Sequence, residues 1–259
     1  MPELPEVEEA TGRLRSAALG KTIVRLRILH PALARRFPAR AAAAVAGATI
    51  QRIERRGKHQ LLHLDDGRTL VVHFRMTGDW EVGRVEEPEP RFARAALDLT
   101  DGTRVTLTDP RALATLTLHD AQSAPLPALG PEANDPAFTA EYLGQALAAR
   151  RGAIKPALLD QRVVAGLGNI YAAEALWRAR ISPRASARAL SLERRRRLVR
   201  AIRDVLDRAP GGRYWIGERE ARWKVYDREG KACPRCGARI RRITQAGRST
   251  YYCPRCQRS

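Results

Sequence analysis

Four cysteines near the end of the chain constrain its fold more than any other residues. They form two Cys-x2-Cys pairs, Cys233/Cys236 and Cys253/Cys256, with sixteen residues between the pairs. Two tight knuckles at this spacing can present four thiolates tetrahedrally to one zinc ion. Redox pairs or disulfides are the alternatives, and equal pairs at this spacing in a reducing compartment disfavour both. We therefore expect a zinc ribbon with one structural metal, because all four ligand positions are filled.

The net charge of the chain is +19, and only five of its 47 basic residues are lysines, which leaves 42 arginines. A field of this sign favours a polyanion, and nucleic acid is the commonest one. An arginine-rich surface that reflects a GC-rich genome is the alternative, so charge supports DNA binding without proving it. The segment between the cysteine pairs carries Arg239, Arg241, Arg242 and Arg248, which suit a phosphate-binding surface.

The hydropathy of the chain argues against a membrane protein. No apolar run approaches the roughly 18 residues that span a bilayer. The first residues are acidic and proline-rich, whereas a signal peptide would be basic and then apolar. We therefore expect a cytoplasmic protein.

The first part of the chain has the pattern of a helix followed by β structure. Apolar residues recur at helical spacing after the proline-rich start, at Val7, Ala10, Leu14, Ala17 and Ala18. Residues 22–29 then alternate in polarity, which predicts a strand with Val24, Leu26 and Ile28 on one face. Two Asp-Gly pairs lie between β-rich runs and predict tight hairpins, because both residues tolerate positive φ. These pairs are Asp66-Gly67 and Asp101-Gly102.

A linker rich in proline and glycine, residues 124–136, precedes a helical region. Three apolar stripes at helical spacing predict three helices there. Their residues are Tyr142, Leu143, Ala146 and Leu147; Ile170, Ala173, Leu176 and Trp177; and Leu198, Val199, Ile202, Val205 and Leu206. Asn169 follows a glycine-rich break and is placed to cap the second helix.

The N-terminal segment MPELPEVE has two interpretations. It can be a proline-braced helix start whose acids complement the helix dipole. That interpretation does not require a proline directly after the initiator methionine. Together with RRGKHQLLHL at 55–64, DPR at 109–111, LGPE at 129–132, GLGNIYAAE at 166–174 and the cysteine pairs, the segment resembles bacterial formamidopyrimidine-DNA glycosylase.

The resemblance covers essentially the whole chain and implies an α+β multidomain fold. The expected parts are a helix with a β-sandwich (1–122), a helix–two-turn–helix DNA-binding domain (123–224) and a zinc ribbon hairpin (225–259). The resemblance also implies a monomeric base excision repair enzyme that acts on damaged double-stranded DNA as a glycosylase and AP lyase.

The same resemblance assigns the chemistry to four residues. Removal of Met1 would expose Pro2 as a secondary amine nucleophile, with Glu3 as its acid/base partner. Lys58 would donate a proton and contact phosphate, and Arg248 would serve the second elimination. The alternatives are a solvated charge for Lys58 and, for Arg248, one arginine among many.

Further positions match DNA contacts of the family. Three of them match wedge residues that fill the gap left by a flipped base: Met76, Arg111 and Leu113. A core position is the alternative for Met76. The residues that match phosphate contacts are His73, Asn169 and, in place of a lysine, Arg150; Arg94 would take over a further phosphate contact.

The chain departs from the family pattern at three places. Leu113 replaces a phenylalanine, and Phe92-Ala93-Arg94 replaces a His-x-His element. The stretch 210–224 is short for a loop that would cover the flipped lesion. Its shortness argues against a preference for 8-oxoguanine over ring-opened purines. Leu4 favours the formamidopyrimidine branch. The alternatives are an endonuclease VIII-like enzyme for oxidised pyrimidines and abasic sites, or a non-catalytic DNA-binding relative.

Overall fold

The computed structural model describes residues 2–123, 125–209 and 223–258. The chain forms two compact units, of which one ends at Pro127 and the other begins at Ala128. Among the described residues, no helix is long and apolar enough to cross a membrane.

The first unit begins with a helix and continues as β structure. Its helices are α1 (Leu4–Ala18), α2 (Pro31–Ala34) and α3 (Ala39–Ala44). Its strands are β1 (Ile23–Ile28), β2 (Ile50–Arg56), β3 (His59–Leu64), β4 (Thr69–His73), β5 (Asp79–Arg84), β6 (Ala93–Leu99), β7 (Thr103–Thr108) and β8 (Thr115–His119). The strands pair antiparallel in two four-stranded sheets, ordered β1-β6-β7-β5 and β2-β3-β4-β8.

One apolar core joins α1 to both sheets. The predicted stripe of α1 is confirmed, since all five of its apolar residues are buried. Burying this stripe removes several side chains from water at about 25 cal/mol per Å² of apolar surface. The helix is therefore fixed on the sheets, and so is the segment Pro2–Glu3 that directly precedes it.

The face predicted for β1 is wrong at Val24, whereas Leu26 and Ile28 both pack on the core as expected. Ile23 and Leu26 are buried, whereas Val24 is 53% exposed. The pairing of β1 with β6 shifts register between Ile23 and Arg25. An extra residue at such a bulge reverses the side-chain alternation, and no polarity pattern signals it.

Both predicted hairpins form, but with a different turn. Only the glycines Gly67 and Gly102 have positive φ, at 84° and 78°. Each hairpin therefore needs glycine at one position, and the aspartate side chain accepts a backbone hydrogen bond within the turn. Asp101, for example, accepts the backbone N–H of Thr103 at 3.0 Å.

The second unit contains four helices and a hairpin within its described residues. The helices are α4 (Ala140–Ala148), α5 (Ile154–Leu159), α6 (Asn169–Arg178) and α7 (Leu192–Asp207). The three predicted stripes lie on α4, α6 and α7, and α5 was not predicted. Strands β9 (Arg241–Gln245) and β10 (Arg248–Tyr252) pair antiparallel. The two residues between them, Ala246 and Gly247, both have positive φ, as a two-residue hairpin turn requires.

Two glycines of the first unit provide a matched test of this packing. A Cβ on Gly78 would lie 2.8 Å from the Cα of Phe74, whereas a Cβ on Gly12, inside α1, would meet nothing within 4 Å. We expect Gly78→Ala to lower the free energy of unfolding by about 1–3 kcal/mol because the turn is already close-packed. Gly12→Ala should raise it by about 0.5–1 kcal/mol. Denaturant unfolding measures both, and equal stability of the two variants would contradict the packing described.

Candidate functional site

The start of α1 holds two of the predicted catalytic residues in a fixed backbone. Pro2 and Glu3 are both buried. The N–H of Glu3 donates to Oε2 of Glu6 at 2.9 Å, and its carbonyl accepts the N–H of Val7 at 3.0 Å. Glu6 thus serves the helix start, as the structural interpretation of the acidic segment expects. Because the backbone at Glu3 is held on both sides, the position of Pro2 is defined.

Lys58 lies in the turn between β2 and β3 and is only 7% exposed. Gly57, at φ 60°, forms this turn. Arg55 pairs with Glu8 of α1 and also donates from Nη1 to the carbonyl of Gly57 at 3.1 Å. One guanidinium therefore joins the first turns of α1 to the turn that carries Lys58.

Two histidines pack next to this turn. The rings of His59 and His73 meet edge to face with centroids 4.7 Å apart. Burial, and then the nearby positive groups of His59, Arg75 and Lys58, lower the pKa of His73 to about 3. Nδ1 of His73 accepts the N–H of Arg75 at 2.9 Å. The ring is therefore neutral at physiological pH and carries its proton on Nε2, as a donor.

The loop after β7 is organised by the fully buried carboxylate of Asp109. Oδ2 accepts the N–H groups of Leu113 at 2.6 Å and Ala114 at 2.7 Å, and Oδ1 accepts the N–H of Arg111 at 3.1 Å. Hydrogen bonds to a buried charge are among the stronger ones in proteins. The carboxylate thus sets the backbone that presents Arg111 and Leu113.

The same carboxylate also fixes the turn that carries Met76. The hydroxyl of Thr77 donates to Oδ1 of Asp109. Met76 is half-buried and lies outside the apolar core, between β4 and β5. The structure therefore brings the three predicted wedge residues together on two adjoining loops. Leu113 is 41% exposed, and Arg111 is also exposed.

Arg94 is bound to this loop in the structure. Its Nε donates to the carbonyl of Asp109 at 2.7 Å, and the side chain is half-buried. The guanidinium therefore braces the loop, and its predicted phosphate contact is untested.

In the second unit, Asn169 is not the cap of α6, so that prediction is wrong. Gly168 occupies the cap position and Asn169 is the first helical residue. Its side chain turns instead to the hairpin, where Nδ2 donates to the carbonyl of Ser249 at 3.1 Å. Buried Lys155 holds this contact, with Nζ donating to Oδ1 of Asn169 at 2.6 Å, Oγ1 of Thr250 at 2.7 Å and the Ser249 carbonyl at 3.1 Å.

The Lys155 contacts bring Asn169 next to Arg248, which is exposed at the start of β10 and directly precedes Ser249. Arg150 is engaged elsewhere, since its Nη2 donates to Asp160 at 2.7 Å. Hydrogen bonds from the Arg162 side chain and backbone, with that from Arg150, outweigh burial and lower the pKa of Asp160.

The four cysteines fit one tetrahedral zinc ion. Their Sγ atoms all lie within 4.8 Å of one another, and two of the distances are 3.4 and 4.0 Å. Zn–S bonds of about 2.3 Å in a tetrahedron place sulfurs about 3.8 Å apart. Nε1 of Trp177, on α6, donates to Sγ of Cys233 at 3.4 Å, and the Arg235 guanidinium stacks 4.1 Å from the Trp177 ring.

Sequence reasoning did not identify three residues that hold other groups of these sites in place: Asp109, Lys155 and Trp177. The sequence offered one signal for Lys155, because lysine is rare in this chain. The structure shows that Lys155, like Lys58, is buried. The short segment proposed to lack a capping loop, 210–224, lies almost entirely outside the described residues.

Comparison with known proteins agrees along the chain. Residues 1–116 match the model of the formamidopyrimidine-DNA glycosylase N-terminal domain, and 129–212 match its H2TH domain. Residues 230–258 match a zinc finger found in FPG and IleRS, and the chain holds one structural zinc.

A formamidopyrimidine-DNA glycosylase of Chloroflexus aurantiacus is 42% identical over 99% of this chain and 98% of its own. The Lactococcus lactis enzyme bound non-covalently to DNA with an AP site superposes with a TM-score of 0.90 at 31% identity, covering 99% of this chain and 100% of that one. A mutant of the same enzyme bound to DNA containing Fapy-dG gives 0.90 at 30%, covering 100% of both chains. The chain therefore belongs to the formamidopyrimidine-DNA glycosylase family, the bifunctional DNA glycosylases and AP lyases of base excision repair.

Proposed function

We propose that Pro2 is the nucleophile with which this chain removes ring-opened and oxidised purines from double-stranded DNA. The observation that carries the proposal is the fixed position of Pro2 and Glu3. Pro2 and Glu3 are buried at the start of a helix that the Glu8–Arg55 pair joins to the turn carrying Lys58. A mere helix start needs neither a proline amine nor a buried lysine on the turn that is joined to it.

The nucleophile forms once Met1 is removed, because the nitrogen of Pro2 is then an amine and no longer an amide. An α-amino group has a pKa of about 8, against about 10.4 for lysine, so more of it is unprotonated at neutral pH. The nitrogen bonds to C1′ of the deoxyribose while the bond from C1′ to the damaged base breaks, and the base leaves with a proton. The C1′–O4′ bond then breaks as O4′ takes up a proton, so the sugar ring opens and the nitrogen lone pair forms a covalent iminium with C1′.

Strand cleavage follows from the iminium. It acidifies C2′, and loss of that proton expels the 3′ phosphate; a second elimination expels the 5′ phosphate. Glu3 carries protons beside the amine, Lys58 donates a proton and contacts phosphate, and Arg248 serves the second elimination.

The remaining contacts hold the distorted DNA. A damaged base must leave the stack before C1′ can be reached, and Met76, Arg111 and Leu113 fill the gap. His73 contacts phosphate as a neutral N–H donor, while Arg94, Arg150 and Asn169 contribute further phosphate contacts. The last of these lies at the N-terminus of α6, where phosphate is favoured.

Lesion range, assembly and location complete the proposal. The shortness of the stretch 210–224 favours ring-opened purines over 8-oxoguanine; a panel of lesions opposite each base tests this. Efficient excision of oxidised pyrimidines alone would instead indicate an endonuclease VIII-like enzyme.

The proposed glycosylase acts as a monomer in the cytoplasm, where reduced cysteines suit zinc. Its domain boundaries lie at 122/123 and 224/225.

Borohydride trapping tests the nucleophile. Processed protein should form a covalent adduct with abasic-site DNA, and Pro2→Ala should lower its yield, because alanine presents a primary amine without the ring that fixes the direction of the proline nitrogen. Pro5→Ala, a second proline of the same segment, should keep the adduct. Processed wild-type protein that binds the DNA without an adduct would refute the enzyme in favour of a non-catalytic relative.

Asp109→Asn tests the organisation of the wedge residues. The amide keeps the size of the carboxylate but loses its charge and one acceptor, a loss of about 1.5–3 kcal/mol. We expect kcat/KM for lesion excision to fall about 10- to 100-fold. Asp101→Asn removes a similar turn carboxylate from another hairpin and should leave kcat/KM unchanged. Equal activity of the two variants would show that Asp109 does not position the wedge.

Zinc release to a chelator tests the metal site. Wild-type protein should hold one zinc per chain, and Cys253→Ser should lose it. Trp177→Phe should keep the zinc but release it roughly tenfold faster, because the Trp177 N–H supports the Cys233 thiolate. Trp80→Phe, which changes a buried tryptophan of the other unit, is the control. Identical release rates for both tryptophan variants would contradict this role.

A further inference from the structure

Phe92 has an unusual backbone for an aromatic residue. Its φ is 66°, and its side chain is 38% exposed. A bulky residue in this left-handed region is a genuine outlier. Such strain is of order 1–3 kcal/mol and persists where the surrounding structure imposes it, most often at functional sites.

The strain in the first unit is concentrated around Asp109. Among its described residues, the non-glycine positions with positive φ are Arg75, Phe92 and Ala112. Arg75 precedes Met76, and Ala112 lies between Arg111 and Leu113. All three strained residues therefore belong to segments that hydrogen-bond to Asp109, through its carboxylate or its backbone.

Phe92 is joined directly to the wedge loop. Its carbonyl accepts the N–H of Asp109 at 3.0 Å, and Ala93, the next residue, pairs with Thr108 in the sheet. Arg94 then donates to the Asp109 carbonyl. Backbone contacts thus hold the aromatic residue beside the loop that presents Arg111 and Leu113.

The ring also has a cation beside it. The guanidinium of Arg91 lies 4.5 Å from the centroid of the Phe92 ring, within the range of a cation–π contact. An aromatic ring with a guanidinium on it presents a flat apolar surface and a positive charge together. A nucleobase with its phosphate has the complementary surface.

Other exposed apolar residues of this unit lack these features. Val24 and Val82 are more exposed than Phe92, but they lie on strands and have ordinary backbone angles. Single exposed apolar residues of that kind are normal on soluble proteins. Exposure alone therefore does not single out Phe92; its strained backbone, its contact with Asp109 and its guanidinium do.

We propose that Phe92 is a fourth wedge residue, which stacks on a nucleobase next to the lesion. The proposal rests on the proposed function and deepens it. Phe92, on the neighbouring loop, then provides the aromatic surface that Leu113 lacks.

Binding to a duplex with a stable abasic analogue, tetrahydrofuran, tests the proposal. Stacking on an aromatic side chain is worth about 1–3 kcal/mol per base. Phe92→Ala should therefore weaken binding on the order of tenfold, and binding to the undamaged duplex should change less than about twofold. The salt dependence of binding should stay the same, because no phosphate contact is removed.

Matched variants separate stacking from packing. Phe92→Trp should restore binding, whereas Phe92→Leu, apolar but without a ring, should restore it only partly. Val82→Ala should behave as wild type. A 2-aminopurine placed next to the analogue should be quenched by wild-type protein and brighter with Phe92→Ala, because stacking quenches its fluorescence.

Two results would overturn the proposal: binding by Phe92→Ala within twofold of wild type, or full restoration by Phe92→Leu. Borohydride trapping on the same preparations distinguishes failure of the stacking role from failure of the proposed function. If wild-type protein forms the adduct and Phe92→Ala binds equally well, only the stacking role fails. If wild-type protein forms no adduct, the proposed function itself fails.

Discussion

The buried carboxylate of Asp109 is the contact on which the proposed lesion site of the first unit depends. It is fully buried and accepts hydrogen bonds from two loops, one carrying Met76 and the other Arg111 and Leu113. Removing donors from a buried charge is expensive, so the arrangement is held as a unit. The loops can therefore keep strained backbone angles that exposed loops would relax.

Lys155 has the corresponding role among the cations. Lysine is rare in this chain, yet Lys58 and Lys155 are both buried. A compact ammonium can donate in three directions, which Lys155 does to Asn169, Ser249 and Thr250. A planar guanidinium has a different donor geometry. The numerous arginines instead lie mostly where they can pair with acids or reach solvent, and they supply the positive field.

Much of the architecture was predictable because it follows from local patterns. The apolar stripe of α1, the Asp-Gly hairpins and the cysteine spacing are each set within a short stretch of chain. The bulge that exposes Val24 and the role of Asn169 were not predictable, since each depends on a partner distant in sequence. The same holds for the strained Phe92 and for the loops that Asp109 joins. Resemblance named the wedge residues, but only the structure shows what holds them.

The account rests on the amine of Pro2, and the site of covalent attachment tests it most directly. Processed protein would be reduced with borohydride on abasic-site DNA, digested, and its peptides sequenced by mass spectrometry. We predict that the deoxyribose remnant lies on the nitrogen of Pro2. A remnant on Lys58 or on any other lysine would contradict the central claim, since the buried lysine would then be the nucleophile.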